Sequence, residues 1–244
     1  MDLTLIASAH MSASVYEAEI APGTPTTGPP SVRSYAPQKW VHEKGSGFTG
    51  AIYTSPDRSH VVLAFAGTNP FSWGDIKADI NIVANEVPIE QMIRANRLYI
   101  AAKEIAQEAE IIVVGHSLGG GLAQFIAATY GLRGATFNAP PMGAHMERYS
   151  KATGQSNINE ASLKDRIINF RAFFDVVSVG SYALDAIKIA VSPMIGIPRF
   201  NAAWARHLGR VVHLGPRAGL HGMDDMVKYI ARQPYAEKTP WDVR

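Results

Sequence analysis

The sequence predicts an α/β fold: a mostly parallel, doubly wound central sheet with helices on both faces. From residue 89 to residue 174, helical and strand patterns alternate along the chain. Strands joined through helices in this way make right-handed crossovers and pair in parallel. The segment IIVVG at 111–115 adds four consecutive apolar residues, which is typical of a strand covered on both faces.

The N-terminal third contains a helix, a loop and a hairpin. Residues 3–19 are predicted to form a helix, and the five prolines of residues 21–37 predict a loop, because proline lacks the amide donor that a helix needs. The stretches GFTGAIYT and HVVLAFAG flank SPDRS. Pro56 suits the first central position of a turn and Asp57 favours turning, so these stretches predict a β-hairpin.

The later elements follow from apolar spacing and from helix ends. Residues 89–109 place apolar side chains three to four positions apart, which predicts an amphipathic helix with Pro88 at its start. A second helix is predicted over 118–130, closed by Gly131 in a left-handed conformation. Two further apolar strands, GATFNA and RIINFRAFF, flank a helix predicted at 141–152.

Composition narrows the function classes. The 244 residues are 47% hydrophobic and 18% charged, which predicts a single globular domain over 1–244. The 23 basic and 21 acidic residues form no long runs, so no nucleic-acid partner is expected. The chain has no cysteine, which excludes disulfides, thiolate metal sites and a cysteine nucleophile. No acidic or histidine cluster has metal-ligand spacing, and no cofactor is expected.

The N-terminus lacks the basic segment of a secretory signal, and His10 interrupts its short apolar run. We therefore expect a cytoplasmic protein, or one exported by a route independent of a signal peptide. The apolar stretch at 182–200 contains Asp185, Lys188 and two prolines, which argues against a membrane-spanning helix.

Gly115, Ser117 and Gly119 spell G-x-S-x-G between the IIVVG strand and the following helix. This context is the one in which the motif presents a nucleophilic serine on a strained turn. The glycines remove side chains that would collide with the strand and helix. The alternatives are a turn whose glycines serve only packing, and a phosphate cradle, which is disfavoured because GHSLGGG lacks the G-K-[ST] ending.

A serine hydroxyl needs a base, and the base needs an orienting acid. In sheets of this kind the order is serine, acid, histidine. Asp165 precedes its strand and Asp185 lies in an apolar helical segment, whereas Asp175 follows a strand at its carboxyl end, where open sheets place their sites. Asp175 is therefore the predicted acid.

His221 is the predicted base, because it lies in a glycine-flanked turn before a C-terminal helix. His213 alternates with apolar residues and is predicted in a strand, and His207 is predicted at a helix end. His116 is next to the serine and is expected to pack or hydrogen-bond beneath the turn.

Taken in order, these motifs resemble the class 3 lipases, a family of α/β-hydrolases that includes the fungal triacylglycerol lipases. The resemblance covers most of the chain, through HMSASVY, VVLAFAGT, NPFSWGDIKADINIV, GHSLGGGLAQ, FNAPPMG, RIINFRAFFDVVSVG and HGMDDMVKYI. Two positions depart from the pattern: Ala66 stands where arginine is common, and Asn138 where glycine is usual.

The resemblance implies a serine hydrolase of carboxylic esters that uses a triad of Ser117, Asp175 and His221. It implies an oxyanion hole formed by the backbone amides of Thr68 and Leu118, and no cofactor. A lid is implied over about 69–87, with apolar side chains that would meet a lipid interface: Phe71, Trp73, Ile76, Ile80 and Ile82. The alternative for this segment is a fixed covering helix.

Three functions stay open at this point. The first is a lipase or phospholipase that acts on acyl glycerides, with transient contact to lipid and an unknown protein partner; the resemblance also allows an exported membrane-attacking phospholipase toxin. The second is an esterase for small soluble or aromatic esters. The third is a catalytically silent binding protein on the same fold.

Overall fold

The computed structural model describes residues 2–18, 28–67, 87–154, 160–172, 206–215, 218 and 222–244. Its strands form one seven-stranded sheet in the order β1 to β7. Their bounds are β1 Ala36–Glu43, β2 Phe48–Thr54, β3 His60–Phe65, β4 Glu110–His116, β5 Arg133–Phe137, β6 Ile167–Arg171 and β7 Arg210–His213. The first three strands pair antiparallel and β3 to β7 pair in parallel. The mostly parallel α/β sheet is confirmed.

Helices cover both faces of the sheet, as predicted. Their bounds are α1 Leu5–Ser14, α2 Ile89–Ala106, α3 Leu118–Tyr130, α4 Gly143–Thr153, α5 Glu160–Leu163 and α6 Met223–Ala231, with 3-10 turns at Val15–Ala18 and Pro240–Asp242. Residues 3–19 were predicted as one helix, whereas α1 ends at Ser14 and the 3-10 turn follows it.

Successive side chains of the strands point to opposite cores. Val62 and Ala64 of β3 lie in one core with α1 and α6, while Val61, Leu63 and Phe65 lie in the other with α2, α3 and α4. Both faces of the sheet are therefore buried, which explains the continuous apolar runs of the central strands.

Helices lie on both predicted faces, but the alternation along the chain did not predict which helices lie on which face. The parallel strands follow one another in chain order, and right-handed crossovers between such strands put their helices on a single face. The crossover helices α2 and α3 accordingly share one core, and the opposite face is covered by the terminal helices α1 and α6.

The proline-rich loop also ends earlier than predicted. Pro37 was placed in the loop but lies in β1, where the register shifts between Pro37 and Lys39. An edge strand with a bulge tolerates a proline because its missing amide interrupts no central pairing. The predicted β2–β3 hairpin is confirmed, and its turn is closed by the Arg58 amide donating to the Ser55 carbonyl at 3.0 Å.

The parallel strands bring their carboxyl ends to one edge of the sheet. Phe65 of β3 pairs with Gly115 of β4, and Phe137 of β5 lies between His116 and Phe170. The segments that leave these strands therefore start side by side, with Ser117 at the centre. Within the described ranges, no helix is long and apolar enough to cross a membrane.

Candidate active site

Ser117 has a backbone conformation that residues other than glycine rarely adopt, with φ 55° and ψ −131°. Its amide donates to the Phe137 carbonyl at 3.0 Å, and its carbonyl accepts from the Gly121 amide at 3.1 Å. The residue is only 7% exposed. Such a conformation costs about 1 to 3 kcal/mol and persists only where the surroundings enforce it. The sharp strand-to-helix turn predicted at this serine is present.

The two motif glycines allow the turn to form because each lies against backbone. A Cβ on Gly115 would stand 2.5 Å from the Gly119 carbonyl carbon and 2.8 Å from the Gly120 nitrogen. A Cβ on Gly119 would overlap the Phe65 carbonyl oxygen and lie 2.6 Å from that of Ala66. Neither neighbour is a flexible side chain, so only glycine fits at these two positions.

The next two glycines bring the start of α3 against the segment that follows β5. A Cβ on Gly120 would lie 2.6 Å from the Ala139 Cβ, and one on Gly121 would lie 3.1 Å from Pro140 Cγ and Met142 Sδ. Glycine inside a helix costs about 1 kcal/mol relative to alanine, so close packing is what these residues provide. The first turn of α3 is thereby wedged between the ends of β3 and β5.

Leu118 is the first residue of α3, directly after Ser117. Amides of a first helical turn have no acceptor within the helix and point toward the positive end of its dipole. The predicted use of this amide for an oxyanion is compatible with its position.

The segment after β3 approaches the serine closely. A Cβ on Gly67 would lie 2.8 Å from the Ser117 Cβ and 2.9 Å from the His116 carbonyl oxygen. The Gly67 amide itself donates to the Tyr16 hydroxyl at 2.8 Å. Thr68, the other predicted oxyanion donor, is the next residue in sequence and lies outside the described residues.

Asp175, His221 and the predicted lid residues also lie outside the described residues, so no distance joins them to Ser117. The lid residues in question are Phe71, Trp73, Ile76, Ile80 and Ile82. Strand β6, which precedes Asp175 in sequence, ends at Arg171 beside β5. Helix α6, which follows His221, begins at Met223 with Gly222 as its N-cap.

Asn138 holds the carboxyl ends of β5 and β6 together. Its amide donates to the Phe170 carbonyl at 2.9 Å, and its side-chain Oδ1 accepts from the Ala172 amide at 2.8 Å. Its φ of 45° lies in the left-handed region, which asparagine tolerates better than most residues. The positive φ accounts for glycine being usual here, and the sequence alone did not predict the side-chain bridge.

Three of the residues not chosen for the triad, Asp165, His213 and His116, are placed as expected, whereas Asp185 lies outside the described residues and the helix end predicted at His207 is not tested. Asp165 lies in the turn before β6, at the opposite end of that strand, and His213 is exposed in β7. His116 ends β4, with its Nδ1 2.9 Å from the Tyr16 hydroxyl, so its ring is hydrogen-bonded beneath the turn. Tyr16 carried no short-range signal that could have singled it out.

The family comparison matches the larger part of the chain. The model of the Tle-like phospholipase domain, of the phospholipase-like group, matches residues 7–222. The chain belongs to this family. The matched range includes the Gly115–Gly119 turn around Ser117, called the elbow from here on, and both ends of the predicted triad.

One curated relative is similar to this Tle-like chain in sequence, and one solved structure is similar to it in fold. It is 39% identical over 212 residues to an extracellular phospholipase A1 of Serratia liquefaciens, covering 84% of this chain and 60% of the relative. The chain thus spans about three fifths of that relative's length. The crystal structure of a triacylglycerol lipase from Penicillium expansum is similar with a TM-score of 0.51 and 16% identity, covering 96% of this chain and 88% of that one. This likeness confirms the predicted α/β-hydrolase fold.

Proposed function

We propose that this Tle-like protein is a carboxylic-ester hydrolase of the phospholipase A type, which releases fatty acid from glycerophospholipids. The observation that carries the proposal is the conformation of Ser117, strained and enclosed by glycines at the carboxyl edge of the sheet. A turn that served only to pack a helix on a strand would not need a serine in a glycine-type conformation, because glycine would fit there without strain.

In the proposed mechanism, Ser117 attacks the ester carbonyl while His221 takes the hydroxyl proton. Asp175 orients the imidazole and stabilises its charge. The backbone amides of Thr68 and Leu118 hold the oxyanion of the tetrahedral intermediate. When the carbon–oxygen bond breaks, His221 returns the proton to the leaving lysophospholipid. Water, deprotonated by the same histidine, then releases the fatty acid from Ser117.

Phospholipid is proposed over other esters because of the family and the Serratia relative, which is named a phospholipase A1. The apolar segment about 69–87 is proposed to contact the lipid surface, because aromatic and aliphatic side chains recur along it. A soluble-ester specificity is the competing function.

The test measures fatty-acid release from phosphatidylcholine and phosphatidylglycerol vesicles, a triglyceride emulsion and a short-chain soluble ester. Each substrate is given to the wild-type protein and to Ser117→Ala. We expect release from the vesicles to fall by about 10⁴-fold or more in the variant, as for a triad nucleophile. Release from the soluble ester alone would replace the phospholipase with an esterase.

Ser150→Ala is the matched control. Ser150 lies partly exposed in α4, and the same hydroxyl is removed there. We expect wild-type rates from this control. Equal rates from wild type and Ser117→Ala would refute the nucleophile.

A fluorophosphonate probe separates the enzyme from a silent binding protein. The probe forms a bond from the Ser117 oxygen to phosphorus and releases fluoride. We expect labelling of the wild type and Ser150→Ala but not of Ser117→Ala. An unlabelled, folded wild-type protein without hydrolysis would favour the binding protein.

A further inference from the structure

Tyr16 touches both segments that flank the proposed oxyanion hole. Its hydroxyl accepts a hydrogen bond from the Gly67 amide at 2.8 Å and lies 2.9 Å from Nδ1 of His116. Gly67 immediately precedes Thr68, and His116 immediately precedes Ser117. The Tyr16 hydroxyl oxygen is thus hydrogen-bonded both to Gly67, which precedes the proposed oxyanion donor, and to His116, which precedes the proposed nucleophile.

The two Tyr16 hydrogen bonds lie just beyond the last pair of residues in the β3–β4 ladder. The last β3–β4 pair is Phe65 with Gly115, and the Ala66 amide turns to the Thr49 carbonyl of β2 at 3.0 Å. Beyond this point the separation of the two chain segments is no longer set by that ladder. The Tyr16 hydroxyl supplies a cross-link one residue further along each segment.

The contact is tight enough to define a position. A Cβ on Gly67 would lie 2.7 Å from the Tyr16 hydroxyl and 2.8 Å from the Ser117 Cβ. The phenol and the serine therefore both lie against the side of Gly67 on which a Cβ would stand. The Tyr16 and His116 rings also meet edge to face, with centroids 6.0 Å apart.

Tyr16 is itself held on a fixed support. It lies in the 3-10 turn directly after α1, next to Val15, which is fully buried. The end of α1 is fastened to β2 by a hydrogen bond of 2.9 Å between the Ser14 and Tyr53 hydroxyls. A phenol on such a support can fix the segment it touches.

We propose that Tyr16 is a positioning residue, which sets the distance between the oxyanion hole and the nucleophile by bonding Gly67 and His116. This inference rests on the proposed hydrolase function. Tyr16 contacts no reacting atom in this proposal; it acts through Gly67 on the following amide and through His116 on the following serine.

Tyr16→Phe removes only the hydroxyl. A displaced oxyanion donor weakens transition-state binding without changing how the resting substrate is held, and loss of one donor lowers turnover by about 100- to 1,000-fold. Because the variant keeps the donor and loosens its position, we expect kcat for vesicle hydrolysis to fall by about 10- to 100-fold. KM should stay within about threefold of the wild type.

Tyr53→Phe is the matched control, since it removes a buried tyrosine hydroxyl that holds the same end of α1 without touching the elbow. Burial raises the pKa of Tyr53 to about 12, so its hydroxyl stays protonated at any assay pH near neutrality. We expect this variant to lose thermal stability but to lose much less kcat than Tyr16→Phe, because the Tyr16 hydrogen bonds to Gly67 and His116 remain. Rates are measured below the unfolding range and per fluorophosphonate-titrated site.

The outcomes separate this inference from the function on which it rests. A wild type that hydrolyses no ester, or a fully active Ser117→Ala, overturns both. An active wild type and inactive Ser117→Ala, with kcat of Tyr16→Phe within twofold of the wild type or lowered no more than that of Tyr53→Phe, overturns the positioning role alone. So does a Tyr16→Phe protein that does not fold while Tyr53→Phe folds, because the hydroxyl would then serve the fold itself.

Discussion

The Ser117 elbow and the β2–β3 turn each contain a non-glycine residue with positive φ, but in opposite surroundings. Ser117 in the elbow and Arg58 in the turn both have φ 55°. Arg58 is exposed at the fourth position of the five-residue turn, whereas Ser117 is buried among glycines between a strand and a helix. The two regions show how a chain enforces an unfavourable conformation by local or by tertiary contacts.

The β2–β3 turn is stabilised by its own side chains. One carboxylate oxygen of Asp57 accepts from the Ser55 and Ser59 hydroxyls, each at 2.7 Å, and from the Ser59 amide at 3.1 Å. The elbow depends instead on the ends of β3 and β5, which are distant in sequence. Substitutions should therefore be far more costly at the elbow than at the turn.

The largest expected effect is that of Gly119→Ala. Its Cβ would overlap the Phe65 carbonyl oxygen, and neither the central strand nor the helix can move aside easily. We expect a loss of at least about 3 kcal/mol in the free energy of unfolding, or roughly 6 °C or more in melting temperature. Calorimetry and vesicle hydrolysis measure the two consequences, and hydrolysis should be lost as well.

Gly45→Ala is the control for that substitution. Gly45 is exposed, and a Cβ there would have no atom within 4 Å. Its melting temperature should stay within about 2 °C of the wild type. If Gly119→Ala and Gly45→Ala had the same melting temperature, the elbow would not be closely packed.

The second largest expected effect is an increase in the free energy of unfolding, caused by Ser117→Gly. Ser117→Gly should stabilise the protein by about 1 kcal/mol, because glycine relieves a strain of about 1 to 3 kcal/mol and adds about 0.5 to 1 kcal/mol of chain entropy to the unfolded state. Ser117→Ala loses the same hydroxyl but keeps a Cβ and the strain. Denaturant titration of the two variants isolates the backbone contribution. A Ser117→Gly variant that is less stable than Ser117→Ala by about 0.5 to 1 kcal/mol, the entropy cost of glycine alone, would show that Ser117 is not strained.

Local signals explain how much of the elbow could be predicted from sequence. Helix α3 has the predicted bounds, and Gly131 closes it in the left-handed region, because a serine-glycine turn and a terminal glycine mark its two ends. Asp175, His221 and Thr68 stay predictions from order, strand ends and family resemblance, since they lie outside the described residues.

The remaining features depend on contacts that no short pattern encodes. Strand β1 is largely exposed and carries a proline, so it lacks the apolar alternation that predicts a strand. Tyr16 meets Gly67 across 51 positions and His116 across 100. The placement of the crossover helices on one face likewise follows from strand order, which is a property of the whole sheet.

The smallest expected effect belongs to Arg58→Gly in the β2–β3 turn. A left-handed arginine costs about 1 to 2 kcal/mol, which the added freedom of an unfolded glycine offsets by about 0.5 to 1 kcal/mol. The local hydrogen bonds of Asp57 remain, so we expect a gain below about 1 kcal/mol and unchanged vesicle hydrolysis, measured by the same denaturant titration. A gain larger than that of Ser117→Gly would reverse the comparison, because the exposed turn would then store more strain than the buried elbow.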